Sequence, residues 1–553
     1  MKKYAAVVVL LMLSGLGFRL FLALRLPNDE PDDGRVYARI AINVLEHRTY
    51  SIETEEPYSP TLIRVPGYPL FIAGIYALFG HENNRAVRVV QALLDTITCW
   101  LIALLALAWA PDRWLPKKRR RLSLIALGLA VTCPFPAIYV TTILTETCTI
   151  LLATACALTA TLAMKNSGIK AMGWCAAAGV FGGLATLFRS DSGMFVAAVG
   201  VTLAVVLLRG AISRSRTKRL SAARAFALAA TLSLGFVLTL TPWAIRNARL
   251  FGVFQPIAPQ FANMPGDFVP RGYIQWLRTW VDDVKYTELL EFPLDIEQIH
   301  IDRVPGYAFD SPEERERVAA LLDRYNNPPA KAGAQNIAQP VPPVPDPKGQ
   351  SPTSTPQQQS STDTADEDQE QVDEPDSQDE DSDSSDDKPE AQQPGEMTPE
   401  IDAGFAEIAR ERIARYPLRY YMIVPLKRAG SMWFDTHSQY YPFQGEMLPL
   451  SELDTDIHQQ YWLPFFMFLT VFYTGLAAGG AWLMWRDKGS RGWLLLFALL
   501  ILPRLAFLTS MENPEPRYVV EFFAFVVTAC SLAMIASWDW LVERRRQQKG
   551  RHD

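Results

Sequence analysis

Cysteine is scarce in this 553-residue chain, and the little there is carries no pattern. Cys99, Cys133, Cys148, Cys156, Cys175 and Cys530 lie in or beside apolar runs, without metal-ligand or disulfide-framework spacing. A thiolate metal centre and a disulfide-stapled domain are thereby excluded, and the six read as small core residues. The opening stretch MKKYAAVVVLLMLSGLGFRLFLALRLP has no small-x-small cleavage site, and its apolar core is longer than that of a signal peptide. It is expected to be a retained first span. No internal repeat of the kind carried by inverted-repeat transporters is visible. Aromatic residues are missing from 331–398, which is instead rich in Pro, Gln, Ser and Asp. Such a segment buries too little apolar area to offset its ordering entropy and is expected to be a disordered acidic linker.

That linker also distorts the charge balance. The net charge is -6, yet 17 of the 59 carboxylates fall between Ser361 and Glu400, so the remainder of the chain is basic. Overall charge is therefore no guide to partners, and no nucleic-acid partner is expected. What the chain has in abundance is apolar sequence, 49% of its residues, clumped into runs of about twenty as membrane spans require. The runs predict an all-α polytopic membrane protein of about ten spans, at 4–25, 85–110, 122–139, 144–164, 171–188, 193–209, 223–243, 461–485, 492–511 and 518–541. The basic loops KKRRR (117–121), KNSGIK (165–170), RGAISRSRTKR (209–219), RDKGSR (486–491) and ERRRQQKGR (543–551) alternate with less basic ones. The positive-inside rule then puts both termini in the cytoplasm of a cell whose plasma (inner) membrane holds the chain, and 27–84, 244–460 and 512–517 on the periplasmic or exterior face.

On that outer side the stretch RVPGYPLFIAGIYALFG (64–80) is too short for a span, and VYARIAINVLEHR (36–48) sets Val36, Ile40 and Val44 on one face, as an interfacial helix would. Residues 244–330 have enough aromatics and turn signals for a small extracytoplasmic cap. Residues 399–460 open behind the cap signal Thr398-Pro399 and read as an outer juxtamembrane helical segment lying on the membrane. The chain thus divides into an N-terminal transmembrane module (1–243), the cap, the linker (331–398), the juxtamembrane segment, and C-terminal spans with a basic tail (461–553).

Ionisable side chains near the outer span ends are the candidates for chemistry: Asp32, Asp33, Arg64, Glu146, Arg189, Asp191, Arg246, Arg517 and Glu521. Charges at membrane depth are costly, and each alone has a bland explanation as a solvated loop carboxylate or a snorkelling arginine. Together they supply a carboxylate and several guanidiniums facing one cavity, which is what transfer of a group from a membrane-anchored phosphate to a hydroxyl needs.

The stretches DDGRVYARIAINVLEHRTYS (32–51) and RVPGYPLFIAGIYALFGHENNRAVRVVQALLD (64–95) resemble the opening of GT-C-type, polyprenyl-phosphate-sugar-dependent glycosyltransferases of the protein mannosyltransferase and aminoarabinose transferase group. PFPAIYVTTILTET (134–147), LATLFRSDS (184–192), TPWAIRNARLFGVFQPI (241–257), ARYPLRYYMIVPLKRAGSMW (414–433) and PRYVVEFFAF (516–525) continue it in order; the acidic tract has no counterpart. The resemblance implies an inverting glycosyltransferase that moves a hexosyl or pentosyl unit to a lipid, glycan or protein acceptor. In that family an Asp lies four residues before a Tyr, which falls on Asp33 and Tyr37 and makes Asp33 the candidate general base, with Asp32 the fallback. Gly34 stands where the commoner Asp-Glu pattern has an acid. Arg64, before the Pro-Gly-Tyr-Pro element that contains Tyr68, and Arg517, in the late Arg-Tyr motif with Tyr518, fall where the family faces the lipid phosphate. Glu146 matches a second-loop acid whose role stays open among pocket structure, acceptor orientation and contact with a divalent cation; no cofactor is strictly required. Arg189 and Arg246 match recurrent positions of less certain role. The rival readings are a polyprenyl-lipid or polysaccharide flippase and a non-catalytic envelope assembly protein.

Overall fold

The computed structural model describes residues 2–27, 32–212, 216–328, 394–434, 441 and 457–549. Among these residues there is no strand, and the molecule is an all-α polytopic membrane protein. The long apolar α1 (Lys2–Arg25) leads to two short cap-side helices, α2 (Asp32–Glu46) and α3 (Gly67–Phe79). The span α4 (Asn84–Trp109) starts at Asn83, whose side chain accepts the Ala86 N–H. It is followed by α5 (Pro116–Thr132), the one-turn α6 (Pro134–Ala137), α7 (Glu146–Lys165), α8 (Gly168–Phe188), α9 (Gly193–Ile212) and α10 (Arg216–Phe251).

Eight helices in the described residues are long and apolar enough to cross a membrane, and nine if the bent pair 116–132 and 134–140 is one span. The expected number was about ten. The difference lies at 193–209, where α9 offers only a shorter described apolar run, 190–205. The 64–80 stretch forms only the thirteen-residue α3, too short to span. Where 244 was expected to begin the cap, α10 continues to Phe251.

Small residues bring the spans close. Gly179 and Gly183, four apart on α8, face α10, the first at Gly235 and the second at Thr239; a Cβ on Gly179 would fall 2.2 Å from the Leu232 carbonyl oxygen. Deeper in the bundle Arg19 of α1 ion-pairs with Asp95 of α4, and its guanidinium also donates to the carbonyls of Val131 (3.2 Å) and Ala130 (3.3 Å) on α5. A charge this deep persists only because its partner and these carbonyls satisfy it.

The cap is built from both sides of the acidic tract. α11 (Arg271–Arg278), α12 (Val284–Leu290) and α13 (Pro312–Asn326) precede it, and α14 (Pro399–Arg415) follows. Ser311 caps α13 by accepting the Glu314 N–H, with Pro312 at the first helical position and acids in the first turn. Thr398 caps α14 in the same way by accepting the Ile401 N–H. The apolar face of α14, Ile401, Phe405, Ile408 and Ala409, is buried against Tyr273, Trp276, Leu277, Val318 and Leu322. The expectation that this helix lies on the membrane is therefore replaced: an amphipathic stripe reads the same whether lipid or another helix covers it. Buried Arg412 pairs with Glu314 and lies 3.5 Å from Asp310. Residues 394–398 also join the cap, with Met397 buried and its N–H donated to Asp295 (2.7 Å). The rest of the expected linker, 331–393, lies outside the described residues.

After α14 the chain makes a π-helical turn, Arg419–Ile423, and the short α15 (Val424–Phe434). The last spans are α16 (Ile457–Arg486), α17 (Arg491–Leu508) and, after the one-turn α18 (Arg517–Val520), α19 (Phe523–Lys549).

A buried polar cluster joins the cap to the loop after α17. Arg278 ion-pairs with Glu512, and Thr287 Oγ1 donates to the Glu512 carbonyl at 3.0 Å. Burial, reinforced by the nearby Glu512 carboxylate, pushes Glu291 up to about 8. An unfolded glutamate ionises near about 4.3, so the folded state keeps a proton that the unfolded chain has shed, and stability present in acid is lost as pH rises between these values. Glu291→Gln is expected to leave the unfolding temperature unchanged near about pH 4.5 and to raise it increasingly toward about pH 8. Thermal unfolding of both proteins across that range checks it; a constant difference would remove Glu291 as the source.

Candidate active site

Asp33 lies in the first turn of α2, where the helix N-terminus favours a carboxylate. α2 buries Ile40 and Ala41, which fixes its rotation and leaves Asp33 and Tyr37 facing the bundle. The loop that follows is folded back by side chains: Asn43 Nδ2 donates to the carbonyls of Ser51 and Glu53, both at 2.9 Å. Tyr50 Oη donates to the carbonyls of Arg64 (3.2 Å) and Val65 (3.0 Å), holding the backbone from which Arg64 reaches Asp33. Arg246 closes this loop from behind, donating to the Thr61 carbonyl (2.7 Å) with its guanidinium over the Trp243 (4.6 Å) and Tyr50 (5.3 Å) rings. The structure thus sets Arg246 in an aromatic box and not among the carboxylates.

The Pro-Gly-Tyr-Pro element, residues 66–69, begins α3 and needs its glycine: a Cβ on Gly67 would lie 2.6 Å from the Leu187 carbonyl oxygen at the end of α8. Tyr68 is fully buried; its hydroxyl donates to Gln91 Oε1 (2.6 Å), and Gln91 Nε2 donates to the Thr142 carbonyl (2.8 Å). Its ring packs edge-on against Tyr37, centroids 5.2 Å apart. Neither tyrosine joins the ion pairs, and both wall the floor beside them.

At the centre each Asp33 oxygen has its own arginine: Arg64 Nη2 donates to Oδ1 and Arg517 Nη2 to Oδ2, both at 2.9 Å. Burial works to raise the Asp33 pKa, but Arg517 and Arg64 outweigh it and hold the carboxyl below its usual range. The side chain of Asp32, the fallback base, lies outside the described residues. Glu146, in the first turn of α7 and almost fully buried, is 3.1 Å from Arg189 Nη1 and 3.9 Å from Arg517 Nε, so it bridges to the Asp33 group. Arg189 also donates to Asp191 (2.9 Å) and lies 3.5 Å from Glu521, with its guanidinium 4.1 Å from the Tyr518 ring centroid.

Arg504 was not among the sequence candidates, although it holds the inner end of the network. Buried in α17, it donates to Asp191 Oδ2 (2.6 Å) and sits 3.0 Å from Glu521. Its signal was available: an arginine inside the apolar run FALLILPRLAFL must find a partner within the bundle.

Every guanidinium of the site is thus spoken for by carboxylates, and an arriving anion must compete for them. Among the described residues no group of three or more His, Cys, Asp or Glu side chains converges as a metal site would need. The Glu146 oxygen not bonded to Arg189 is buried and has no hydrogen-bond partner among the described residues.

The model of the dolichyl-phosphate-mannose-protein mannosyltransferase family matches residues 60–243. The matched region holds Arg64, Tyr68, Glu146 and Arg189, whereas Asp33 and Arg517 reach the same point from outside it. The match agrees with the GT-C resemblance of the sequence and supports a membrane glycosyltransferase that uses a polyprenyl-phosphate sugar. No curated protein and no solved structure matches the chain.

Proposed function

We propose that this chain transfers a sugar from a polyprenyl-phosphate donor to a hydroxyl acceptor, with inversion, at the cap-side face of the membrane. The observation that carries the reading is the Asp33 carboxylate shared between Arg64 and Arg517. A hydroxyl is a poor nucleophile, so a carboxylate within hydrogen-bond reach takes its proton as the new glycosidic bond forms. The bond from the anomeric carbon to the phosphate oxygen breaks with its electron pair on that oxygen, and the fixed arginines stabilise the charge that develops there. A single displacement of this kind needs one carboxylate, opposite the leaving group, and inverts the anomeric centre.

The two roles are coupled. While Arg64 and Arg517 hold Asp33, its basicity is suppressed; a donor phosphate that draws them away returns it. Asp33 thus gains proton affinity only when a leaving group is in place, which protects the site from idle chemistry. Glu146 is assigned the orientation of Arg189 and Arg517, and its free oxygen the acceptor side. The acceptor is a lipid, glycan or protein hydroxyl on the periplasmic or exterior face of a plasma membrane, with both termini in the cytoplasm.

Purified full chain in liposomes, supplied with a labelled polyprenyl-phosphate sugar and a delipidated envelope extract, is expected to release polyprenyl phosphate and label the extract. Movement of intact donor across the bilayer without release of polyprenyl phosphate would replace this reading with a flippase.

A further inference from the structure

A second cavity, of about 520 Å³, opens on the far side of α17 from the ion-pair network. Residues of one helix lie about 100° apart, so Leu502, Leu505, Ala506 and Thr509 face away from Arg504, and all four line this cavity. Met422, Pro425 and Leu426 form the opposite wall. The wall comes from the π-helical turn 419–423, where one extra residue per turn re-aims the side chains; such turns occur mostly where a helix serves a site. Around the opening Leu502 (61%), Leu426 (65%) and Tyr421 (66%) are exposed, an apolar rim that suits hydrocarbon and not water.

One side of the cavity is polar and cationic. Arg278, Arg428 and Tyr420 line it. Arg428 is buried and makes no ion pair among the described residues; it donates to the carbonyls of Val281 (2.7 Å), Arg278 (3.0 Å) and Thr509 (3.1 Å). Burial lowers its pKa to about 10, so it is charged at neutral pH, whereas Glu291 behind it, held at about 8, is mostly neutral there. Arg278 and Arg428 face Glu512, and Asp282, the other carboxylate that acts on Arg428, is paired with Lys427 at 2.9 Å, so the cations exceed the ionised carboxylates by one.

We infer that this cavity binds an anionic phospholipid of the cap-side leaflet, with an acyl chain between α17 and the π-helical turn and a singly charged phosphodiester head at Arg278 and Arg428. The occupant is distinct from the sugar donor. Its headgroup would tie α11 of the cap to the loop 509–516 that leads from α17 to Arg517.

The site can be read without donor or acceptor, so it stands or falls apart from the transferase reading. Full chain, delipidated in detergent, is titrated with phosphatidylglycerol or phosphatidylcholine and examined by native mass spectrometry. One phosphatidylglycerol is expected to be retained in preference to phosphatidylcholine. Ala506→Trp and Leu502→Trp, both at exposed positions that fill the cavity, are expected to weaken retention by about tenfold or more. Leu238→Trp, on the exposed face of α10, is expected to leave it unchanged. Equal retention of the two lipids, or full retention by both cavity variants, would overturn the assignment. Displacement of phosphatidylglycerol by stoichiometric polyprenyl phosphate would also overturn it, by making the cavity part of the donor site.

Discussion

Asp33→Asn is expected to lower turnover by about 10²- to 10⁴-fold while donor binding is kept or tightened. Asparagine fills the same space but cannot accept the proton of the acceptor hydroxyl. It also releases Arg64 and Arg517 from the anion each now holds at 2.9 Å, so both are free for the donor phosphate without competition. A residue that merely braced the site would behave differently: its loss would misplace the arginines and weaken donor affinity together with turnover. The split between kcat and donor affinity, measured with purified full chain and labelled polyprenyl-phosphate sugar, therefore separates a base from a brace. Asp32→Asn in the same assay is expected to stay within about threefold of the parent, as a residue that does not take the proton should. If Asp32→Asn abolished turnover and Asp33→Asn did not, the base would be Asp32.

The sequence resemblance reached the centre of the site because its residues sit on short motifs with fixed local geometry. Asp33 is readable from its spacing to Tyr37, Arg64 from its place before Pro66-Gly67-Tyr68-Pro69, and Arg517 from its place before Tyr518. What joins them is not local: Arg517 lies 484 residues from Asp33, and only the packing of α18 beside α7 brings it there. Arg504 escaped notice since a single arginine in an apolar run says that a partner exists without saying which one. Arg246 joins the candidates by sidedness and by its match to a recurrent family position, and nothing in sequence order shows that Trp243 and Tyr50 box it. The cover of α14 is illegible in the sequence for a related reason. The stripe on α14 predicts a buried face, and whether lipid or α11 covers it depends on contacts across more than a hundred residues.

Arg517→Gln is expected to cost about 10²- to 10³-fold in kcat/KM, the effect typical of removing one preorganised donor from a developing oxyanion. Among the described residues Arg517 alone ion-pairs with both acids of the centre: Nη2 donates to Asp33, and Nε lies 3.9 Å from Glu146. Without it the Asp33 carboxyl loses the largest of the influences that keep its pKa low. The acid limb of the pH–rate profile is then expected to move to higher pH, since a base that is protonated more readily is lost earlier on acidification. Arg517→Lys keeps the charge but, as a single point donor, cannot serve Asp33 and Glu146 from one planar fork, so rescue is expected to be partial. Arg64→Gln is expected to shift the same limb by less, because Arg64 lowers the Asp33 pKa less than Arg517 does. An acid limb that stayed in place in Arg517→Gln, with kcat/KM nevertheless reduced, would mean that Arg517 binds phosphate but does not control Asp33. The coupling between leaving group and base would then fail even if the transferase reading survived.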